Sequence, residues 1–578
     1  MKSLSTLLSV FCLIMLSMSW SLGQVTFVDM AHDLGVTDLD FTCGVGIVDI
    51  DGDGISEIIT ATHIGNDRLY KWVGNEYEEM GQVYGLAAPA DYHHQIALTD
   101  IDKDYIPDIF ISGDPRYGNH GHLYLNRGHP PFIDVAGQYN VAQVIEMGSS
   151  FFQFSPNSEL AFLCGGRLMV RTGGTFIDLT EGSGLESIDN VMTPIFFDLD
   201  GDNDDDLFIG GNWDINSGRL YRNNGDTTFT DISTNTNENG FRDGGGVSIG
   251  DYNGDGSFDI YLTSGNDENS MWFNDGTGYF YNETEYSHTG VGGYTRGSSA
   301  GDFDNDGDLD IFINRAQDYN ILFLNDGTGV FEDVGHESGV ADVYNGGGCA
   351  ISDLNNDGQL DIVAINLDFF PTLIYINQNH ETSFLKIKLI GRYPNTLALG
   401  AIVKLYGIRN DPYAEDYIGM REVRSVSTIH SFDDPIVHFG TGNYDYLRVV
   451  TVFNSLAVVD TTGITPGQEI TIVEPDYVAI KDEPLKHPEE IGIISAYPNP
   501  FNSSTNLAIQ GNEGILTLEI YDTLGRLVKS DRIFAAGKIF EYNWDCTDNT
   551  KRPLSSGIYF AKLESINSCK PIKITLIR

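Results

Sequence analysis

Basic residues are scarce in this chain of 578 residues. Lys and Arg number 33 against 83 Asp and Glu, a formal net charge of −50 at pH 7. A surface so acidic repels phosphate backbones and argues against nucleic acid as a partner. Long apolar runs are missing after residue 23, so no later segment is suited to cross a membrane as a helix. Cysteine is limited to six residues, and spacing alone settles no pairing. No nucleophile elbow, local zinc-ligand motif or phosphate loop occurs. That removes the enzymes known by one local motif, though not a catalytic set drawn from several parts of the chain. Hydrophobic residues make up 41%, too many for a disordered chain, over a length that calls for several domains.

The acidic residues are concentrated in one loop that recurs six times. It reads DIDGDGISE from Asp49, DIDKDYIPD from Asp100, DLDGDNDDD from Asp198, DYNGDGSFD from Asp251, DFDNDGDLD from Asp302 and DLNNDGQLD from Asp353. Each copy has an oxygen-bearing side chain at positions 1, 3, 5 and 9. A tight turn with that spacing directs four carboxylate or amide groups at one small volume. A hard cation with many oxygen ligands, calcium above all, removes the resulting repulsion. One such turn is commonly a solvated acidic loop, but six in one register are a repeat. The EF-hand begins the same way, yet it needs a bidentate Glu at position 12. Here that position holds Thr60, Ile111, Ile209, Leu262, Ile313 and Ala364. A short strand follows each loop instead, as in DIFISG, DIYLTSG and DIVAIN.

The loops start 51, 98, 53, 51 and 51 residues apart. The long gap spans nearly two periods, so a repeat without a cation loop is expected over SSFFQFSPNSELAFLCGGRLMVRTGGTFIDLT (149–180), giving seven repeats. A period near fifty with about four short strands marks a β-propeller. One repeat shows them: GYTRGSSAGDF beside the axis, then DIFINR, ILFLND and VFEDVG, the last two joined through NDGTG. The N-terminal motif VTFVDM (25–30) resembles a lone fourth strand, and the last repeat stops after its third, LIYINQN. The N-terminal strand is therefore expected to complete the last blade and close the ring, which leaves no open edge. Closure makes Cys43 and Cys349 neighbours and candidates for pairing, as are Cys546 and Cys569; Cys164 is then a buried thiol.

Residues 25–380 resemble the FG-GAP (VCBS) repeats of integrin α-subunit propellers and bacterial surface proteins. The resemblance implies about six structural Ca2+ sites, each with ligands at positions 1, 3, 5 and 9 and a backbone carbonyl at position 7. The implied ligands are Asp49, Asp51, Asp53 and Glu57; Asp100, Asp102, Asp104 and Asp108; and Asp198, Asp200, Asp202 and Asp206. The other three sets are Asp251, Asn253, Asp255 and Asp259; Asp302, Asp304, Asp306 and Asp310; and Asp353, Asn355, Asp357 and Asp361. Position 6, usually Gly, is Tyr105 in the second loop and Asn203 in the third.

Residues 1–23 have the make-up of a secretory signal peptide: Lys2, the apolar run LLSVFCLIML and SLG before Gln24. Residues 24–380 are then the seven-bladed propeller. Residues 381–475 contain NTLALGAIVKLYG, REVRSVS and VHFGTG, and resemble the ASPIC/UnbV domain that often follows FG-GAP repeats, as in cartilage acidic proteins. A small β domain packed on the propeller is expected there. Residues 476–491 form a linker with Pro484 and Pro488. Residues 492–578, opening on AYPNPFNSSTNLAI and containing GIYFAKLE, alternate strands with Gly turns in the manner of an immunoglobulin-like sandwich. They resemble the C-terminal sorting domains of the type IX secretion system in their FlgD-like immunoglobulin form. That resemblance implies the type IX machinery as a partner and a secreted or outer-membrane cell-surface location. The fold class expected overall is all-β.

In a propeller the cation loops share one face, and the loops entering the first strands lie on the other. That second face is expected to carry Tyr92, His93, His94, Arg116, Tyr117, Trp213, Arg242, Asp243, Tyr294, Arg296, Tyr344 and Phe369, with His120, His122, Asp214, Asp368 and Phe370 beside them. Aromatic and Arg side chains are enriched at recognition surfaces. The first reading is a non-enzymatic recognition or adhesion module for a glycan or extracellular protein. Two others stay open: a calcium-dependent polysaccharide lyase or hydrolase using His93, His94, Arg242, Tyr294 and Arg296, and a structural surface scaffold.

Overall fold

The computed structural model describes residues 25–475 and 492–576, except 38, 87–91, 115–119, 144–146, 156–157, 189–190, 211–217, 239, 242–244, 266, 381–382, 410–414, 498–503, 511–513, 524–525, 536–538 and 565–571. The signal-peptide and linker expectations lie outside the described residues. Two compact units are present, Met1–Asp476 and Tyr477–Arg578.

In the first compact unit the described residues build five four-stranded antiparallel sheets and one eight-stranded sheet, whose halves are joined where Ala316 pairs with Asn345. With that sheet taken as two, the repeating units are modules 1 to 7 in chain order. Their innermost strands are Phe41–Val48, His93–Thr99, Ser149–Gln153, Thr193–Phe197, Val247–Gly250, Thr295–Gly301 and Val343–Ser352. Each is followed by an acidic loop, or in module 3 by a plain turn, and then by the second strand. Module 7 has three strands in sequence and takes its fourth from the N-terminus, Phe27 pairing with Asn377 and Asp29 with Tyr375. The inner strand of module 1 packs against those of modules 2 and 7, so first and last modules are neighbours.

Burial falls from the first strand to the fourth. Val247–Gly250 is wholly buried, whereas Phe331–Asp333 points only Phe331 inward. This explains the small, apolar inner sequences and the polar outer ones. The modules meet through aromatic layers, such as Phe152 of module 3 stacked on Phe196 of module 4 with ring centres 3.7 Å apart.

A second device joins the modules. An Asn ends the third strand of modules 4, 5, 6 and 7, and directly follows that of module 2: Asn126 in module 2, then Asn223, Asn274, Asn325 and Asn377. Its side-chain amide donates to a carbonyl of the preceding module, at Ile50, Phe154, Leu199, Tyr252 and Phe303 respectively, over 2.7 to 2.8 Å. All five are buried, so each bond satisfies groups that water cannot reach.

Residues 384–473 form two further sheets. One orders Val437–Gly440, Phe384–Ile390 and Gln468–Val473; the other orders Glu415–Glu422, Ile402–Ile408, Tyr446–Val452 and Val458–Ile464. Their core is continuous with modules 2 and 3, since Leu385, Val403 and Phe439 share a cluster with Phe110, Phe151 and Phe162. The second compact unit also has two antiparallel sheets. One holds Gly492–Tyr497, Thr505–Gln510 and Ile539–Trp544; the other holds Leu527–Ala535, Gly514–Asp522, Gly557–Glu564 and Ile572–Leu576. Leu507, Leu518, Trp544, Leu563 and Ile574 form its core.

Cys349 is a free buried thiol 3.3 Å from Ser299 Oγ, so no Cys43–Cys349 bridge forms. Cys164 is buried within module 3. Cys569 lies outside the described residues.

Candidate metal centres and the central hairpin

All 24 acidic-loop positions are described, and each loop is built in the same way. The first Asp folds the turn by accepting backbone N–H groups. Asp49 takes Gly52, Asp53 and Gly54 at 2.8 to 3.1 Å, and Asp353 takes Asp357 and Gly358 at 2.9 Å. The position-9 carboxylate closes it. Asp310 accepts from Phe303 N at 2.8 Å and from Asn325 N at 2.9 Å, and Asp108, Asp206, Asp259 and Asp361 repeat the pattern. The turn needs left-handed backbone at position 6, and Tyr105 and Asn203 adopt it at φ 71° and 65°. The two departures from Gly therefore keep the loop shape.

The turns bring the ligand carboxylates together. Oxygens of Asp49, Asp51 and Asp53 lie within 4.8 Å of one another, as do those of Asp100, Asp102 and Asp108, of Asp198, Asp200 and Asp206, and of Asp302, Asp304 and Asp306. These clusters could hold a metal ion. Asp51 Oδ1, Asp200 Oδ1 and Asp251 Oδ1 are buried without a hydrogen-bond partner, as expected of groups shaped for a cation. Burial, with neighbouring carboxylates adding to it, pushes the carboxyls upward. Asp108 rises to about 8 and Asp206 to about 9; Asp259, Asp302, Asp310 and Asp361 stand well above the carboxylate range. A bound calcium would supply the missing positive charge and draw these groups back to their ionised form.

In loop 1 the protein supplies a cation of its own. Lys71 Nζ lies 2.8 Å from Asp51, 2.9 Å from Asp53 and 2.8 Å from Glu57, at the focus of the ligand set. Lys386 Nζ similarly meets Asp353 Oδ2 at 2.9 Å and Asn356 Oδ1 at 2.8 Å.

The two sheets of residues 384–473 cover the acidic loops. Thr396 donates to Asp100 Oδ2; Tyr417 donates to Asp251 Oδ2 at 2.5 Å, and Gly440 N to Asp302 Oδ2 at 2.7 Å. Glu422 accepts from Asp198 N at 3.3 Å. A hairpin over residues 423–436 then enters the space among the inner strands. It bonds to all seven modules, counting Glu422 at its base. Arg424 donates to Ile249 O, Phe151 N and Leu98 N donate to Ser425, and Ser298 N donates to Thr428. Phe432 N donates to Val45 O, and Ile351 N to Asp433. Glycines make room for it: a Cβ on Gly44 would stand 2.3 Å from His94 O and 2.4 Å from His430 O. In the sequence REVRSVS reads only as a family motif of a small β domain packed on the propeller. No periodicity marks a hairpin whose partners are inner-strand edges.

The opposite end of the modules is where the recognition residues were expected. Phe369 and Phe370 are exposed there, at 57% and 41%. Tyr344 lies against Phe370, and Phe41 near Phe369. Arg296 stacks on Tyr294 and donates to Asn345 Oδ1 and Gly346 O. Tyr92 is half-buried beside His63. His93 and His94 are buried instead. His93 Nδ1 meets Asp67 Oδ2 at 2.6 Å and His94 Nε2 meets Asp114 Oδ2 at 3.0 Å, so both turn inward to buried carboxylates. His120 is exposed and His122 is partly covered, paired with Asp134. Arg116, Tyr117, Trp213, Asp214, Arg242 and Asp243 lie outside the described residues.

Comparison with known proteins follows the same division. The FG-GAP-like repeat model matches residues 49–111, 198–262, 251–313 and 302–364, and the secretion system C-terminal sorting domain matches residues 495–577. The chain is 22% identical over 475 residues to cartilage acidic protein 1 of Xenopus tropicalis, covering 72% of this chain and 70% of that protein. It is 23% identical over 441 residues to the Homo sapiens protein of that name, covering 69% and 58%. Among solved structures, BBS1N in complex with ARL6DN aligns with a TM-score of 0.38 at 10% identity, over 61% of this chain and 97% of that one. Sqt1 of Saccharomyces cerevisiae aligns at 0.37 and 10%, over 76% and 98%. The chain thus carries FG-GAP-like repeats and a C-terminal sorting domain, which marks it as an exported, secreted or cell-surface protein.

Proposed function

We propose that this chain is a calcium-loaded, seven-bladed β-propeller that recognises a glycan or an extracellular protein at the end opposite its cation loops. Residues 24–380 are the propeller, 381–475 an ASPIC/UnbV-like domain and 492–578 an immunoglobulin-like sorting domain read by the type IX secretion machinery. One observation carries the recognition reading. The small β domain covers the acidic loops, while the other end presents Phe369 and Phe370 beside Tyr344 and the Arg296–Tyr294 pair. Exposed aromatics beside a planar cation suit sugar faces and protein hot spots. Calcium in this reading is structural. The pairing of buried His93 and His94 with Asp67 and Asp114 weighs toward binding over catalysis.

The mature chain is tested on an array of glycans and extracellular proteins, with calcium and with a chelator. Retention that depends on calcium and falls at least about tenfold, about 1.4 kcal/mol, in Phe369→Ala/Phe370→Ala is expected. Retention indifferent to both changes, or none by a folded calcium-loaded sample, counts against recognition; cleavage of an acidic polysaccharide revives the lyase. Removal of residues 492–578 is expected to strand the protein in the periplasm. Undiminished surface display of that truncation would refute the sorting role.

A further inference from the structure

A second kind of metal donor set is buried where the tip of the central hairpin meets modules 1 and 2. Cys43, His94 and His430 each offer one ligand atom, and the three lie within 4.8 Å of one another with all three residues buried. Cys43 Sγ is 3.6 Å from His94 Nδ1, and His63 Nε2 is 3.0 Å from the same nitrogen. Three donors therefore converge from three places, Cys43 on module 1, His94 on module 2 and His430 on the hairpin, and His63, on the strand paired with that of Cys43, stands beside them against His94.

Local backbone irregularities aim these side chains. The pairing of Phe41–Val48 with Glu57–Ile64 slips on both sides of Thr42, which leaves Cys43 and His63 out of the ladder. The next module slips between His93 and Ile96, which frees His94 in the same way. Such bulges redirect a side chain. His430 sits at the hairpin tip with φ 60°, a left-handed residue.

The tautomers of His94 and His430 suit ligation, and His63 Nε2 gives up its proton when it leaves His94 for the ion. His94 Nε2 pairs with the buried carboxylate of Asp114 at 3.0 Å, so Nδ1 faces the cluster with its lone pair, the carboxylate–histidine arrangement that orients metal ligands. His430 is hydrogen-bonded to the Met147 backbone, and its Nδ1 is buried without a hydrogen-bond partner.

We propose that Cys43, His94 and His430, joined by His63 when its imidazole turns from His94 to the ion, form a closed tetrahedral site for a divalent transition metal, zinc by preference, that fastens the hairpin tip to modules 1 and 2. One thiolate and three imidazoles match a borderline-soft ion and not calcium. Zinc bonds of about 2.0 to 2.3 Å in a tetrahedron place S···N at about 3.6 Å and N···N at about 3.3 Å, so the Cys43–His94 spacing already suits the ion, while His63 must part from His94 and close on the other donors. Four protein donors leave no open position, which makes the ion structural. The site is independent of the recognition reading and of the acidic loops.

The test uses the mature chain held in excess calcium. Bound transition metal is removed with a zinc-selective chelator and replaced by titration with cobalt(II). One cobalt per chain with a thiolate-to-cobalt charge-transfer band is expected. Cys43→Ser should abolish the band while calcium content is unchanged. Asp114→Asn should keep the band but weaken binding about 10- to 100-fold, by loosening His94. A folded wild-type chain that takes up no cobalt overturns the proposal, as does a band that persists in Cys43→Ser. Should Cys43→Ser fail to fold, His63→Gln provides the same reading, because loss of one imidazole must alter the cobalt spectrum.

Discussion

At the residue scale, two side chains tune the acidic loops in ways their repeat pattern does not announce. Lys71 occupies the focus of loop 1, so calcium binding there, as proposed, would have to displace an ammonium held by three carboxylates. Lys71→Gln keeps the stem and removes the charge. Calorimetry should show calcium affinity of that loop rising about tenfold, about 1.4 kcal/mol, with the other loops unmoved. Unchanged or weaker binding would mean that the lysine supports the loop and does not compete with calcium. The left-handed backbone of Tyr105 is the other case. A bulky residue there costs about 1 to 2 kcal/mol, and Gly recovers it less about 0.4 to 1 for its freer unfolded chain. Tyr105 is 55% exposed, so little burial is lost. Tyr105→Gly should stabilise the calcium-loaded protein by about 0.5 to 1 kcal/mol in thermal melts, whereas Asn203→Gly should be near neutral because Asn tolerates that conformation. Destabilisation by Tyr105→Gly would show that the ring does other work.

At the level of elements, much was legible because the repeat states it. Acidic spacing places the turns, the missing copy places module 3, and the orphan VTFVDM predicts the N-terminal pairing of Phe27 with Asn377. The Asn clamps were legible in principle, since each Asn falls 15 to 18 residues after a position-9 carboxylate, but their purpose depends on which carbonyl lies across the module boundary. Asn325 Nδ2 donates to Tyr252 O at 2.8 Å and Leu309 O at 3.0 Å, both buried. Asn325→Ala should therefore cost about 2 to 4 kcal/mol, since each orphaned buried group costs about 1 to 3. Equilibrium unfolding of calcium-loaded protein checks this, and a loss under about 0.5 kcal/mol would show that water replaces the amide. The donor set of Cys43, His63, His94 and His430 was not legible. Its members stand 20 to several hundred positions apart, and only ring closure and the hairpin unite them.

For the whole molecule, the scarcity of positive charge becomes a condition for stability. The position-9 carboxylates of the acidic loops are buried, and the small β domain brings Lys386 to Asp353 and Arg421 near Asp302, too few cations to balance the carboxylates. In the metal-free fold Asp198 titrates at about 6, Glu57 at about 7, Asp108 at about 8 and Asp206 at about 9, each raised chiefly by burial. Unfolded carboxyls titrate near about 4. Between about pH 4 and 9 the folded state therefore binds more protons than the unfolded one, and its stability without metal falls as pH rises. On the proposed function calcium would act in the opposite sense, since it would bind the deprotonated ligands of the folded state alone. Melting curves from about pH 5 to 8 should show the chelated protein losing stability, while the gain from calcium widens. A chelated protein that becomes more stable over that range, with a constant calcium gain, would mean that the buried carboxylates are already compensated by the protein's own cations.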